Sequence, residues 1–453
     1  MIDLSFLGGA GTVTGSKYLL SWDDRKVMVD CGLFQGLKKL RMKNWAPLDV
    51  EPKDLDAVFL THAHLDHSGY LPLLVRQGFS GPIFCTSATK DLCEILLRDS
   101  AFLQEKDAEF ANRHGFSKHR PALPLYTQKD AELALKAFRI AEPGEKLKVL
   151  GGLDAQFFCA GHILGASMIR LSIKGRRILF SGDLGRMSDP VMPRPAPMPQ
   201  TDYLIIESTY GNRKHEPVDI ENELAGIISQ TAGRGGKVIV PAFAVGRTQS
   251  LLYHLQQLKR KHMIPDLPIF LDSPMAINAS ELYCRHGDAH RLTNEECRAA
   301  CNIARYTRDV EDSKALASLV MPAVIISASG MATGGRVLHH LKHFVGDRRN
   351  TLLFTGFQAA GTRGRAIVEG AQHVKIHGKQ IAIAADVKNL EALSAHADGD
   401  EILDWIRCAD HAPNKTFVTH GEQGASEALA SRLASEFGWR CSVPELGQKE
   451  VLS

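Results

Sequence analysis

The sequence predicts an α/β protein built in more than one domain, and three observations carry that prediction. Short apolar runs of strand length recur along the first part of the chain, each stopping at a turn rich in histidine, aspartate or glycine. Further on, helical and strand-like segments alternate in the rhythm of a parallel α/β domain. The chain is also long enough, with 453 residues at 44% hydrophobic content, to bury two or three cores.

Bulk properties exclude several classes. A formal charge of +3 is too small for a global field that would hold nucleic acid, so any such contact requires a local basic groove. The nine cysteines are odd in number and lack CxxC pairs, which argues against a disulfide framework or a zinc ribbon and for reduced thiols in a cytoplasmic protein. Cys297 and Cys301 stand at helical spacing and read as buried small hydrophobes, with no third thiol close in sequence. Neither a leader pattern nor a membrane span is expected.

Taken in order, residues 2–7, 17–21 and 26–30 read as short strands, separated by a glycine-rich stretch at 8–16 and the Asp23-Asp24 turn. A strand follows the glycines where a dinucleotide site needs a helix, so that reading fails. Asp30 ends the third strand. The run Ala57-Val58-Phe59-Leu60 is a buried strand, and Thr61-His62-Ala63-His64-Leu65-Asp66-His67 begins where it ends. Three imidazoles and a carboxylate packed this closely repel or desolvate one another without a cation. Nitrogen and oxygen donors suit zinc, and the cluster has donors enough for two ions.

Beyond this motif, 82–86 is strand-like, 88–112 helical, and 128–139 helical again. His162 lies between Gly161 and Gly165. Strands at 168–173 and 177–180 lead to Asp183, and a strand at 203–206 leads to Glu207. Helices near 219–231 and 247–260 then alternate with strands at 238–240, 268–271, 323–326 and 351–354. Open α/β sheets bind ligands beyond the carboxyl ends of their strands, and exposed amides suit anions. Ser327, Ser329 and Gly330 are therefore expected at a phosphate-binding wall with Arg247 and Arg336, supported by Arg363 and Arg365; Ser394 is grouped with them. His396 and His420 occupy isolated polar turns near the end.

The order of Asp30, the His62-to-His67 motif, His162 and Asp183 resembles the metallo-β-lactamase superfamily. Glu207, the Ser394-Ala395-His396 turn and the His420 turn extend the resemblance to its β-CASP branch of nucleic-acid-processing nucleases. The resemblance implies a metallo-β-lactamase αβ/βα four-layer sandwich with an inserted α/β β-CASP cap domain, divided as residues 1–208, 209–387 and 388–453. It also implies two Zn²⁺ per chain, with Mn²⁺ as the alternative. His62, His64 and His162 would hold one ion, Asp66, His67 and His420 the other, and Asp183 would bridge them, with Asp30 orienting the ligands from behind. Asp66, Glu207 and His396 are the implied catalytic groups, His396 as a general acid steadied by Glu207.

The implied activity is hydrolysis of single-stranded RNA to 5′-phosphate and 3′-hydroxyl ends in RNA processing or decay. Endonucleolytic and 5′-exonucleolytic action both stay open, as do monomer and homodimer. Two alternatives use the same metal core: a small ester or thioester hydrolase of glyoxalase II type, and a DNA-acting β-CASP nuclease. The long interval between Asp183 and His420 disfavours the first, since a compact hydrolase does not need it. A histidine at 420 is typical of RNA-acting members and disfavours the second.

Overall fold

A computed structural model describes residues 1–115 and 117–453. Its chain forms two compact units: residues 1–188, 193–214 and 396–453 in the first, and 189–192 with 215–395 in the second.

The first unit holds two seven-stranded sheets. One runs in the spatial order Lys449–Leu452, Ile2–Gly8, Lys17–Trp22, Arg25–Val29, Ala57–Phe59, Ile83–Cys85, Phe138–Ile140. The other runs Cys441–Ser442, Lys415–Val418, Tyr203–Ile206, Arg176–Phe180, Ser167–Ile173, Leu153–Cys159, Lys146–Leu150. Their facing side chains make one core: Leu4, Phe6, Tyr18, Leu20, Val27 and Phe59 from the first sheet meet Phe157, Ile169, Leu171, Phe180 and Phe417 from the second. Phe6 and Phe417 rings lie 5.2 Å apart, and Tyr18 and Phe180 rings 5.7 Å. Burial of each such ring contributes on the order of 2–3 kcal/mol, so the sandwich is held chiefly by this layer.

Helices cover the outer faces. The long helix Ser87–His114 starts where the Thr86 hydroxyl accepts the Thr89 amide and stops at Gly115, whose φ of 66° only glycine adopts cheaply. The expected helix at 128–139 is shorter. It spans Gln128–Lys136, opened by a Thr127/Asp130 capping box, and Phe138–Ile140 turns into an edge strand paired with Ile83–Cys85. Only Phe138 of that strand is buried, so its sequence carries little strand periodicity.

The second unit is built on a six-stranded, all-parallel sheet in the order Arg305–Tyr306, Ile269–Leu271, Ala323–Ser327, Lys237–Pro241, Thr351–Phe354, Asp386–Asn389. Alternate residues feed opposite cores: Val238, Val240, Val324 and Ile326 pack on one face, Ile239 and Ile325 on the other. The boundaries expected at 208/209 and 387/388 move. The second cuts through Asp386–Asn389, which pairs in register with Thr351–Phe354 and belongs to the parallel sheet. At the first, Tyr210 bridges to Asp398 within the first unit, which therefore keeps residues 209–214. Among the described residues no helix is long and apolar enough to cross a membrane.

Candidate metal centre

Five strands of the first unit end at one place. Asp30 follows Arg25–Val29, Thr61 follows Ala57–Phe59, Ser181 follows Arg176–Phe180, Glu207 follows Tyr203–Ile206 and Thr419 follows Lys415–Val418. The turns beyond these carboxyl ends carry the polar residues singled out in the sequence. His62 leaves the strand end, His64 caps the short helix Leu65–Ser68, and that helix carries Asp66 and His67. His162 comes from the turn between Leu153–Cys159 and Ser167–Ile173, and Asp183 from the turn after Arg176–Phe180.

Close backbone packing brings these turns together. A side chain at Gly32 would collide with the Asp66 carbonyl, its Cβ falling 1.6 Å from that oxygen. Gly182, at φ +55°, lies against Thr61. Asp30 is the tie beneath them: its carboxylate accepts the Thr61 amide at 2.8 Å and the Thr61 hydroxyl, and takes His67 Nδ1 at 2.7 Å. That bond fixes which nitrogen of His67 carries the proton and turns Nε2 inward.

The donors fall into two groups joined by one carboxylate. His62 Nε2 is 3.1 Å from His64 Nδ1, which is 3.2 Å from His162 Nε2; Asp183 Oδ2 stands 3.3 Å from His62 Nε2 and 3.5 Å from His162 Nε2. Ligand atoms of a tetrahedral zinc with bonds of about 2.0–2.1 Å stand about 3.3 Å apart, so this set fits such an ion. Across Asp183, Oδ1 faces His67 Nε2 at 3.2 Å and His420 Nε2 at 3.5 Å. Asp66 Oδ2 completes this group at 3.8 and 3.9 Å from the same two nitrogens. His67 Nε2 and Asp183 Oδ1 are buried and make no hydrogen bond among the described residues. A cation between them would satisfy both.

Electrostatics agree with that charge requirement. Burial opposes charge on both Asp183 and His67. The imidazoles of His420, His67 and His62 nevertheless hold Asp183 well below the usual carboxylate range, and Asp183 with Asp30 holds His67 well above the usual imidazole range. His62 is pushed down to about 4, chiefly by burial.

Beside the donors, His396 Nδ1 lies 3.2 Å from both oxygens of Glu207. Burial works against a charged His396, but Glu207 outweighs it and raises the imidazole above its ordinary value. Glu207 is itself pinned, accepting the amides of Leu184 and Thr209. The side chains of Asp66 and His396 are 21% and 16% exposed and His64 is half-buried, while those of His62, His67, His162, Asp183 and Glu207 are sealed.

Three hydroxyl-bearing supports escaped the sequence reading. Ser16 Oγ bonds His420 Nδ1 at 2.8 Å, the Thr61 hydroxyl bonds His62 Nδ1 at 3.1 Å, and Ser181 Oγ accepts the Glu207 amide. The glycine-rich stretch thus has a job unrelated to nucleotides. It delivers Ser16, and the Gly9 carbonyl takes the amide of His420, whose φ is +46°. Its glycines were the available signal.

In the second unit, the residues expected at a phosphate wall are largely engaged. Arg336 donates to the fully buried Asp272 at 2.7 Å and to the carbonyls of Thr307 and Arg308. Ser327 is buried and donates to the Asp272 carbonyl. Ser329 Oγ takes the amides of Thr333 and Gly334, Gly330 lies against Phe243, and Arg247 is buried alongside Gly356. Arg363 bonds three carbonyls and Arg365 pairs with Glu369. Ser394 is buried, its amide bonded to Glu391. Charge and serine content in these loops suggested anion binding; most of it closes the loops instead.

A two-sheet sandwich with histidine and aspartate donors gathered beyond its strand ends is a metallohydrolase scaffold. Residues 11–216 match the metallo-beta-lactamase superfamily, 248–367 the Beta-Casp domain, and 380–444 the Zn-dependent metallo-hydrolase RNA specificity domain. The chain belongs to the β-CASP branch of the metallo-β-lactamase superfamily. It is similar to ribonuclease TTHA0252 of Thermus thermophilus, 39% identical across 97% of this chain and 98% of the relative. An RNase J-like protein of Methanocaldococcus jannaschii is 32% identical over 96% of both chains, and transcription termination factor FttA of the same organism is 31% identical over 98% of this chain and 70% of its own. A solved structure, a protein of unknown function from Enterococcus faecalis, shares the fold with a TM-score of 0.57 at 15% identity over the whole of both chains.

Proposed function

We propose that the chain is a zinc-dependent ribonuclease of the cytoplasm, cutting single-stranded RNA to 5′-phosphate and 3′-hydroxyl ends. The observation that carries this is the convergence of six side chains, His62, His64, His162, Asp66, His67 and His420, around the two oxygens of Asp183, beside a pinned Glu207–His396 pair. Similarity across nearly the full chain to a protein named ribonuclease supports the choice of RNA.

His62, His64 and His162 would hold one zinc and Asp66, His67 and His420 the other, with Asp183 facing both groups. Zinc bound there would supply positive charge against the scissile phosphate and lower the pKa of water to about 7. The protein does the rest. Asp30, Ser16 and Thr61 orient His67, His420 and His62 so that each presents a chosen nitrogen. Glu207 takes Nδ1 of His396 and orients the ring, and His396 would protonate the departing 3′-oxygen.

The test is digestion of 5′-labelled RNA, single-stranded DNA and a nitrophenyl ester side by side by protein loaded with zinc, with end-group analysis of the products. RNA fragments with 5′-phosphate ends are expected. Hydrolysis of the ester with RNA left intact would replace this reading with a small-molecule hydrolase.

A further inference from the structure

Three thiols converge in the second unit. Cys284 sits in the last turn of helix Pro274–Arg285, and helix Asn294–Asn302 presents Cys297 and Cys301 one turn apart on one face. Cys284 Sγ lies 3.0 Å from Cys297 Sγ and 3.6 Å from Cys301 Sγ, and all three sulfurs are within 4.8 Å of one another. The sequence showed Cys297 and Cys301 as an isolated pair; the last turn of the preceding helix supplies the third thiol.

We propose that Cys284, Cys297 and Cys301 form an additional metal site, of different chemistry from the histidine–aspartate centre, that binds one soft, thiophilic cation of the Zn²⁺ class. Three sulfurs meeting at one point suit such an ion, because thiolates select soft and borderline cations over Mg²⁺ or Ca²⁺. With Zn–S bonds of about 2.3 Å, sulfurs in a tetrahedral site stand about 3.8 Å apart, so the thiols need to shift by less than about 1 Å. A disulfide accounts for the cluster less well. It joins two sulfurs and strands the third, and Cys297 with Cys301, a turn apart on a helix, are poorly placed for one. Access is also provided: Cys297 is buried, but Cys284 and Cys301 are part-exposed, so an ion can enter from solvent. Binding forms three S–metal bonds, breaks three S–H bonds and releases three protons to solvent, with a water free to take the fourth position. The site ties the end of one helix to the face of the next, which makes it a staple for this part of the parallel-sheet unit.

The experiment uses the full chain, stripped of metal and reloaded with Zn²⁺ or Co²⁺. Wild-type protein loaded with cobalt should show the near-ultraviolet absorption of thiolate-to-cobalt charge transfer, which nitrogen and oxygen donors cannot give. Cys284→Ser and Cys301→Ser should lose that band and one equivalent of zinc per chain, with RNA cleavage kept within about twofold. His67→Ala should lose zinc from the histidine–aspartate centre and keep the band, so failure of this site and failure of the ribonuclease reading are separable. Cobalt-loaded wild type without the band overturns the proposal, whether or not the serine variants fold. So does wild-type protein in which all three thiols react with a thiol reagent as fast in excess Zn²⁺ as without it.

Discussion

His396 and Arg336 are both nitrogen-bearing side chains paired with a buried carboxylate, yet the pairing serves opposite ends. His396 gives one nitrogen to Glu207 and stays part-exposed beside the metal donors, so His396→Ala should lower RNA cleavage by about 10²–10⁴-fold while zinc content holds, as measured by single-turnover kinetics and metal analysis. Loss of a zinc equivalent in that variant would make it a ligand. Arg336 uses its guanidinium on Asp272 and two carbonyls, so Arg336→Met should cost about 1–3 kcal/mol in urea unfolding and leave the salt dependence of RNA binding unchanged. The cluster of histidine and aspartate side chains was legible in the sequence because donor-type residues stood together just beyond strand ends, where the structure brings them together. Arg336 was not, because its partner Asp272 is 64 positions away, and an arginine among glycines reads equally as phosphate contact or loop closure. Ser16 and Thr61 were hidden for a related reason: a hydroxyl in a turn has no signature until the imidazole it steadies is known.

At the scale of elements, the loops behind the centre are braced by a lysine that sequence reading passed over. Lys17, in the second strand, is buried; its ammonium donates to the carbonyls of Gly32 and Gly15 and lies 4.7 and 4.8 Å from the ring centres of Phe34 and Tyr70. It joins the glycine-rich stretch that delivers Ser16 to the turn that follows Asp30. Lys17→Met leaves those carbonyls without this donor and should lower stability by about 1–3 kcal/mol, with a loosened centre seen as weaker zinc retention. Burial pushes the Lys17 ammonium down to about 8 from its ordinary 10.5, so its folded-state pKa is depressed. The advantage of wild type over Lys17→Met is then fullest above pH 10.5 and shrinks as pH falls through about 8. Urea midpoints of both proteins at pH 7.5 and pH 10 read the change; a constant gap would show that the site tolerates the charge. Strands and long helices were readable from their patterning. Short edge strands such as Phe138–Ile140 and Asp386–Asn389 were not, because partial burial removes the period that marks a strand.

For the whole molecule, metal and fold should be linked. An ion that binds only the native state adds stability in proportion to the logarithm of its concentration over Kd, about 4 kcal/mol at a thousandfold excess. Chelation should therefore lower the melting temperature as it abolishes cleavage, and zinc should restore both together; cleavage lost without any thermal shift would mean the donors hold no resident ion. The same arrangement bears on biosynthesis. The strand Lys415–Val418 lies between Tyr203–Ile206 and Cys441–Ser442, and Lys449–Leu452 lies beside Ile2–Gly8, so each sheet waits for the last part of the chain. A polypeptide still emerging from the ribosome has made residues 62–67 long before His420, and the RNA-rich surroundings of translation meet an incomplete centre until His420 has been made.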